Sequence, residues 1–152
     1  TGLLQITSNE TLDMTPSATT VNLNGFTIHN DASSSIVSLA GASILDVDAV
    51  TFEITMTEEQ RALAIALSNV PGGDGSPSRL SIVSGSFVDV ATNDNVEVIG
   101  LQLSEVADTI RPAMVRVDLD LSHGTLSIRW TETMDNTPIL NNVVVTFWCA
   151  RA

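Results

Sequence analysis

Residues 1–30 can be laid on residues 123–152 without a gap, at an offset of 122. Over the first sixteen pairs, Thr1–Pro16 against His123–Pro138, eight positions are identical: Gly, Leu, Ile, Glu, Thr, Asp, Thr and Pro. Unrelated segments of this composition would agree at roughly one position in sixteen. The likeness continues through Val21 on Val143, Leu23 on Val145 and Phe26 on Trp148. A repeat of this length makes the chain a window on a tandem array. It holds most of one module, 1–108, and the first strands of the next, 109–152. Arrays of like modules serve as spacers, stalks, filaments or adhesins, each unit a physical link. An enzyme is rarely built this way.

Strand patterns dominate. Leu4, Ile6 and Ser8 alternate with Gln5 and Thr7, as Leu126, Ile128 and Trp130 alternate with Ser127 and Arg129. The same two-residue period runs through Val21 and Leu23, and through Val50, Phe52, Ile54 and Met56. Leu80 and Ile82, Val96 and Val98, and Leu101 and Leu103 are shorter candidates. Val115, Val117, Leu119 and Leu121 form an apolar face opposite Arg116, Asp118 and Asp120. One-sided strands suit antiparallel sheets with one face in the core. Thr57-Glu58-Glu59-Gln60 is a capping box that opens one short helix, about 58–68, with Ala62, Leu63, Ala66 and Leu67 as its stripe. Asn69, Pro71, Gly72 and Gly73 stop it. The expected fold is an all-β antiparallel sandwich carrying one short helix. Gly72–Pro77 is the expected flexible loop, and Asp108–Pro112 the module junction.

Charge and composition exclude several function classes. Eighteen acidic residues against six basic ones, a net charge of −12, leave nothing to neutralise a run of phosphates, so nucleic acid is not an expected partner. All six basic residues are Arg and none cluster. No apolar run reaches the length of a membrane span, and the start, Thr1-Gly2-Leu3-Leu4, has no basic region like that of a signal peptide. A single cysteine, Cys149, excludes a disulfide within the chain, and its counterpart Thr27 shows that the module does not require a thiol there. It reads as a small buried side chain.

Asp108-Thr109-Ile110-Arg111-Pro112, the strand Val115–Asp120 and Gly124-Thr125-Leu126-Ser127-Ile128-Arg129-Trp130-Thr131-Glu132-Thr133-Met134-Asp135 together resemble the opening of tandem Ig-like repeats (bacterial-Ig or cadherin-like) in large extracellular surface, adhesin or filament proteins. Gly85–Val96 is similar to the closing stretch of such repeats, with Asn93-Asp94 where Gly-Asn is expected. The resemblance implies an Ig-like sandwich, a cell-surface or extracellular setting, and a structural role linking like modules end to end. The rival expectation is a carbohydrate- or protein-binding adhesin domain that contacts its ligand through Gly72–Pro77 and Asn93–Asn95.

Candidate sites are few. Calcium needs several carboxylate and carbonyl oxygens converging from loops. The loop-placed acids are Asp108 at the junction, Glu10 and Asp13 with their counterparts Glu132 and Asp135, and Asp89 with Asp94. By analogy with cadherin-like arrays, an ion at the junction would stiffen the joint. The competing reading is that these acids bond their own backbone in turns. Asp46, Asp48, Asp118 and Asp120 read as solvent-facing. Gly72-Gly73-Asp74-Gly75 begins like a calcium nonapeptide, but Pro77 stands where its Asp belongs. Asn9-Glu10-Thr11 is a glycosylation acceptor triplet for a secreted eukaryotic protein. No Gly-x-Ser-x-Gly elbow exists, and His29 and His123, in or beside turns, have no metal-spaced partner, so no catalytic residue is assigned. Neighbouring copies are the expected partners. Residues 1–108 contain no equivalent of Ala113–Leu121, so 113–121 of another chain is the expected strand donor.

Overall fold

The computed structural model describes residues 2–32 and 34–134. The chain falls into two compact units, Thr1–Arg111 and Pro112–Ala152. The second half of the repeat beyond Met134, with Asp135 and Cys149, lies outside the described residues.

In the first unit, one sheet is built from β1 (Leu3–Leu12), β4 (Ser43–Ile44) and β5 (Ala49–Thr55), in the order β1-β5-β4. The other contains β2 (Phe26–His29), β3 (Ile36–Ser38), β6 (Arg79–Ile82) and β7 (Val98–Gln102), in the order β3-β2-β6-β7. All pairings are antiparallel. Alternation places Leu4 and Leu12 of β1 and Phe52 and Ile54 of β5 on one inner face. Phe26, Ile28, Val37, Leu80 and Ile82 form the other, and together they make one buried core. Phe87 reaches in from a loop and stacks near Phe26 and Phe52, with ring centroids 6.0 and 6.3 Å away. Each large apolar side chain fully buried there contributes roughly 1.5–3 kcal/mol. The all-β sandwich therefore stands for this unit.

Details differ from the sequence pattern. There are two α-helices among the described residues, α1 (Ser17–Thr20) and α2 (Glu58–Ala66). Val21 makes only an isolated bridge to Phe87, and Leu23–Gly25 is a 3-10 turn, so the strand expected at Val21 and Leu23 begins instead at Phe26. The Asn22 side chain accepts from the Asn24 N–H and holds that turn. The two short candidates around Leu101 and Val98 are one strand. It is irregular where it faces β6, with Gly100 in the left-handed region at φ 62.

The capping box forms as expected. The Gln60 N–H donates to Thr57 Oγ1 at 3.2 Å, and the Thr57 N–H donates to Gln60 Oε1 at 2.9 Å. The helix stripe holds only in part: Leu67, at the helix end, is buried in the core, but Leu63 and Ala66 are exposed, and the buried residue within α2 is Gln60. Its amide donates to Ser38 O at 2.9 Å and Ala40 O at 2.8 Å, tying α2 to the end of β3. A polar side chain satisfied on both ends thus adds to the apolar contact made by Leu67 and Ala64.

The described part of the second unit is a two-stranded ribbon, β8 (Met114–Asp120) on β9 (Thr125–Trp130). Val115, Val117, Leu119 and Leu121, expected to face a core, are all exposed, at 59, 49, 49 and 84%.

Candidate functional site

The site is an open sheet edge with a groove beside it. Met56 N–H donates to Gly2 O at 2.7 Å. In an antiparallel ladder directly opposed residues exchange these bonds at every second position. The backbone groups of Gly2, Leu4 and Ile6 therefore face β5, and those of Leu3, Gln5 and Thr7 face away. The side chains agree, because Gln5 reaches Glu53 at 3.3 Å and Thr7 reaches Thr51 at 3.0 Å, across the closer, non-hydrogen-bonded pairs. Towards its end β1 is covered: Val90 N–H donates to Thr11 O, and Asp13 N–H to Val88 O. Along Leu3–Thr7, β5 is its only strand neighbour among the described residues.

A groove of about 660 Å³ adjoins this edge. Leu3, Leu4 and Ile28 line it together with Leu103 and Val106 of the segment after β7. Arg61 stands at one wall, paired with Glu58 at 2.7 Å and with Asp108. These bonds, the Glu58 hydrogen bond foremost, push its pKa upward, so the guanidinium stays charged.

β9 uses the corresponding edge. Thr131 N–H donates to Ala113 O at 2.9 Å, and β9 runs on without a bulge, the extra residue being Val115 of β8. The backbone groups of Thr125, Ser127 and Arg129 thus face β8. Subtracting 122 gives Leu3, Gln5 and Thr7. The edge that β9 presents to β8 is the one β1 leaves open.

The five acids proposed for calcium are dispersed in use. Asp89 Oδ1 accepts from the Ala91 and Asn93 N–H groups, both at 2.8 Å, and Oδ2 from the Asn93 side chain at 2.8 Å. These bonds, the Asn93 side chain first, hold its pKa below the usual carboxylate range. Glu10 is brought to Asp89 by the Leu12–Asp89 bridge. Asp13 accepts from Thr15 N–H at 3.1 Å. Asp94 forms a bridge with Val88. Asp108 Oδ1 accepts from Ile110 N–H at 2.9 Å, the main cause of its lowered pKa, while Oδ2 meets Arg61. Among the described residues no three His, Cys, Asp or Glu side chains converge as a metal group. Asn9 is exposed on β1.

Asp46 and Asp48 are exposed, as expected, but both are engaged in hydrogen bonds that the sequence reading did not foresee. Asp48 Oδ1 accepts from Met14 N–H at 2.8 Å and Thr15 Oγ1 at 2.9 Å, and Asp46 Oδ1 from Ser17 N–H at 3.0 Å. They hold the turn that leads from β1 into α1. Neither has a local partner, so period-two alternation could not reveal them. Asp118 pairs with Arg116, and Asp120 receives the turn at Ser122–His123.

The expected contact loops are tied down. Gly73, Asp74 and Gly75 N–H groups donate to Val70, Ala66 and Ser68 carbonyls. Asn30, buried, donates to Leu67 O at 2.7 Å and to Asp74 Oδ2 at 2.8 Å. Gly73 lies so close to Ser68 O that a Cβ would sit 2.0 Å from it. The supposedly flexible loop is thus laced to the end of α2. Asn95 similarly accepts from the Ser86 and Phe87 N–H groups and donates to Val83 O and Val96 O.

A second, more open hollow of about 810 Å³ is lined by Ser17–Asn24, Gly41–Ile44, Gly85, Val88 and Asp94. It offers hydroxyls, amides and one carboxylate but no aromatic ring for a sugar to stack on. No helix among the described residues is long and apolar enough to cross a membrane. The chain matches no protein-family model, no curated protein and no solved structure.

Proposed function

We propose that the chain is a structural module of a repetitive extracellular protein, Ig-like in fold, that links like modules end to end in a stalk, appendage filament or adhesin. The observation that carries this reading is the common start and common edge of β1 and β9. Both begin at positions related by the offset of 122, and the same alternate positions carry the backbone groups that face away from β5 in β1 (Leu3, Gln5, Thr7) and towards β8 in β9 (Thr125, Ser127, Arg129). A repeated strand with a repeated bonding pattern is what a modular array requires. The turn acids support it as well, because a link needs rigidity in its own loops rather than groups free for chemistry.

The test is a fusion of two and of three copies joined so that the 122-residue spacing is kept. X-ray scattering should give rods whose length grows by an equal increment per copy. A length that does not grow regularly would defeat the reading. The polar hollow favours a second reading, recognition of a carbohydrate or protein ligand. Binding of the single chain on a glycan array, abolished by Asp94→Ala and Asn24→Ala together, would select it.

A further inference from the structure

We infer that Arg61 is a positioning residue: it clamps the segment by which the chain leaves the first unit and so sets the stiffness of the link. This deepens, and rests on, the linking role proposed above. β7 ends at Gln102, and residues 103–111 run on without joining a strand or helix. Side chains hold them in place of a ladder. Leu103 packs against the core, and its N–H donates to Ser78 O at 2.9 Å. Glu105 accepts from Ser78 N–H at 2.6 Å and from Asn69 N–H at 3.0 Å. Beyond it Val106 is 91% exposed and Ala107 is exposed, so packing no longer guides the chain. The next tie is Asp108. Its Oδ1 accepts from Ile110 N–H at 2.9 Å, and its Oδ2 meets Arg61 Nη1. Among the described residues, no other hydrogen bond joins 106–111 to the rest of the unit.

Arg61 suits the task because it is itself fixed. Its side chain is 12% exposed, and its Nε and Nη2 grip the two Glu58 oxygens at 2.8 and 2.7 Å. That two-pronged bond sets the plane of the guanidinium and aims Nη1 at Asp108. α2 carries both residues. Its capping box, and the Gln60 bonds to Ser38 O and Ala40 O, moor it to the sandwich. A continuous path thus runs from the sheet through α2 and Arg61 to Asp108. With 12 and 26% of the two side chains exposed, salt screens this pair less than one standing free on the surface. Both Asp108 oxygens already accept from fixed donors, and the guanidinium beside them repels a cation. The clamp takes the place of the junction ion that the likeness to cadherin-like arrays implies.

The experiment uses the full chain carrying Cys149→Ser, spin-labelled at Thr51→Cys, exposed on β5, and at Thr109→Cys, exposed beside Asp108. Double electron–electron resonance reads the spread of distances between the body of the first unit and its exit segment. The parent should give a narrow distribution. Arg61→Gln and Asp108→Asn should each broaden it roughly twofold, and the double variant no further, because both remove the same bond. The Asp108→Asn side chain still accepts from Ile110 N–H, so the turn is kept. Arg61→Lys should recover only part of the narrowness, because an ammonium cannot fork onto Glu58 and reach Asp108 together. Calcium at about 10 mM, above the range that extracellular modules need, should leave the parent distribution unchanged. Far-UV circular dichroism checks that each variant folds. Asp108→Asn, at an exposed residue, keeps the test open if Arg61→Gln does not fold.

A parent distribution that is already broad, or one that folded Arg61→Gln and Asp108→Asn leave narrow, would overturn the clamp. So would narrowing by calcium, which would assign the stiffness to an ion. These results leave the linking role to the scattering of the tandem fusions. Fusions of irregular length, beside a narrow distribution that Asp108→Asn widens, would instead overturn the linking role alone.

Discussion

β1 and β9 share a Leu and an Ile two residues apart, Leu4 and Ile6 in one and Leu126 and Ile128 in the other, yet these apolar residues meet different fates. Leu4 is 8% exposed and Ile6 half-buried against the core, whereas Ile128, the counterpart of Ile6, is 44% exposed. β1 has β5 beside it and a second sheet across from it. The described neighbour of β9 is β8 alone. Alternation creates a face that can be buried, but burial itself requires an opposing layer. The tryptophans, Trp130 and Trp148, both lie in the second unit. Fluorescence therefore reports that unit, while far-UV circular dichroism is dominated by the first.

The largest test of this contrast is Phe26→Ala, at a residue with no solvent exposure. It should cost about 3–5 kcal/mol in the urea transition followed by circular dichroism and leave the tryptophan transition in place. Ile128→Ala should do the reverse at well under ~1 kcal/mol, since an exposed side chain leaves no cavity. A large loss from Ile128→Ala would show that β9 is buried in solution and break the comparison.

Next in size is Gln60→Ala, which strips half of the capping box and two bonds to the end of β3. About 1–3 kcal/mol is expected, again in the circular dichroism transition alone.

Acid should act on the first unit through Glu105. Burial would raise its pKa, but its oxygens accept from Ser78 N–H at 2.6 Å and Asn69 N–H at 3.0 Å, and the balance lies below the usual value. A depressed carboxylate stabilises fully above its unfolded-state pKa, near 4.5. That contribution is lost as pH falls through the folded value. Unfolding measured between pH 6 and 3 should show the loss below about pH 4.5, reduced in Glu105→Gln. Solvent screening limits the term to about 1 kcal/mol.

The smallest effect is a gain. Thr92 sits at φ 67, a conformation that costs a β-branched residue but not glycine. Thr92→Gly should stabilise the first unit by up to about 1 kcal/mol, read as a rise in urea midpoint.

Features with local causes were legible from the residues. β5, β6, β8 and β9 follow two-residue alternation, and α2 begins where its capping box stands. Features with distant causes were not. β3 and β4 are too short to show a period, and α1 begins where Asp46, twenty-nine residues along the chain, accepts the Ser17 N–H. That β1 is a strand was legible from the alternation of Leu4 and Ile6. Which of its backbone groups face β5 was not, because parity depends on which β1 residue opposes which β5 residue.

By itself, then, the amino-acid order determined the strands with a clear two-residue alternation, the helix start and the likeness of residues 1–16 to 123–138, because side-chain period, capping and self-similarity act over a few bonds or are plain comparisons of letters. The tertiary structure decided which apolar faces are covered, which carboxylates hold turns, and that β5 is the strand neighbour of Leu3–Thr7 among the described residues. Those outcomes depend on pairs of residues far apart in the chain, whose meeting is settled only when the sheets pack around a common core.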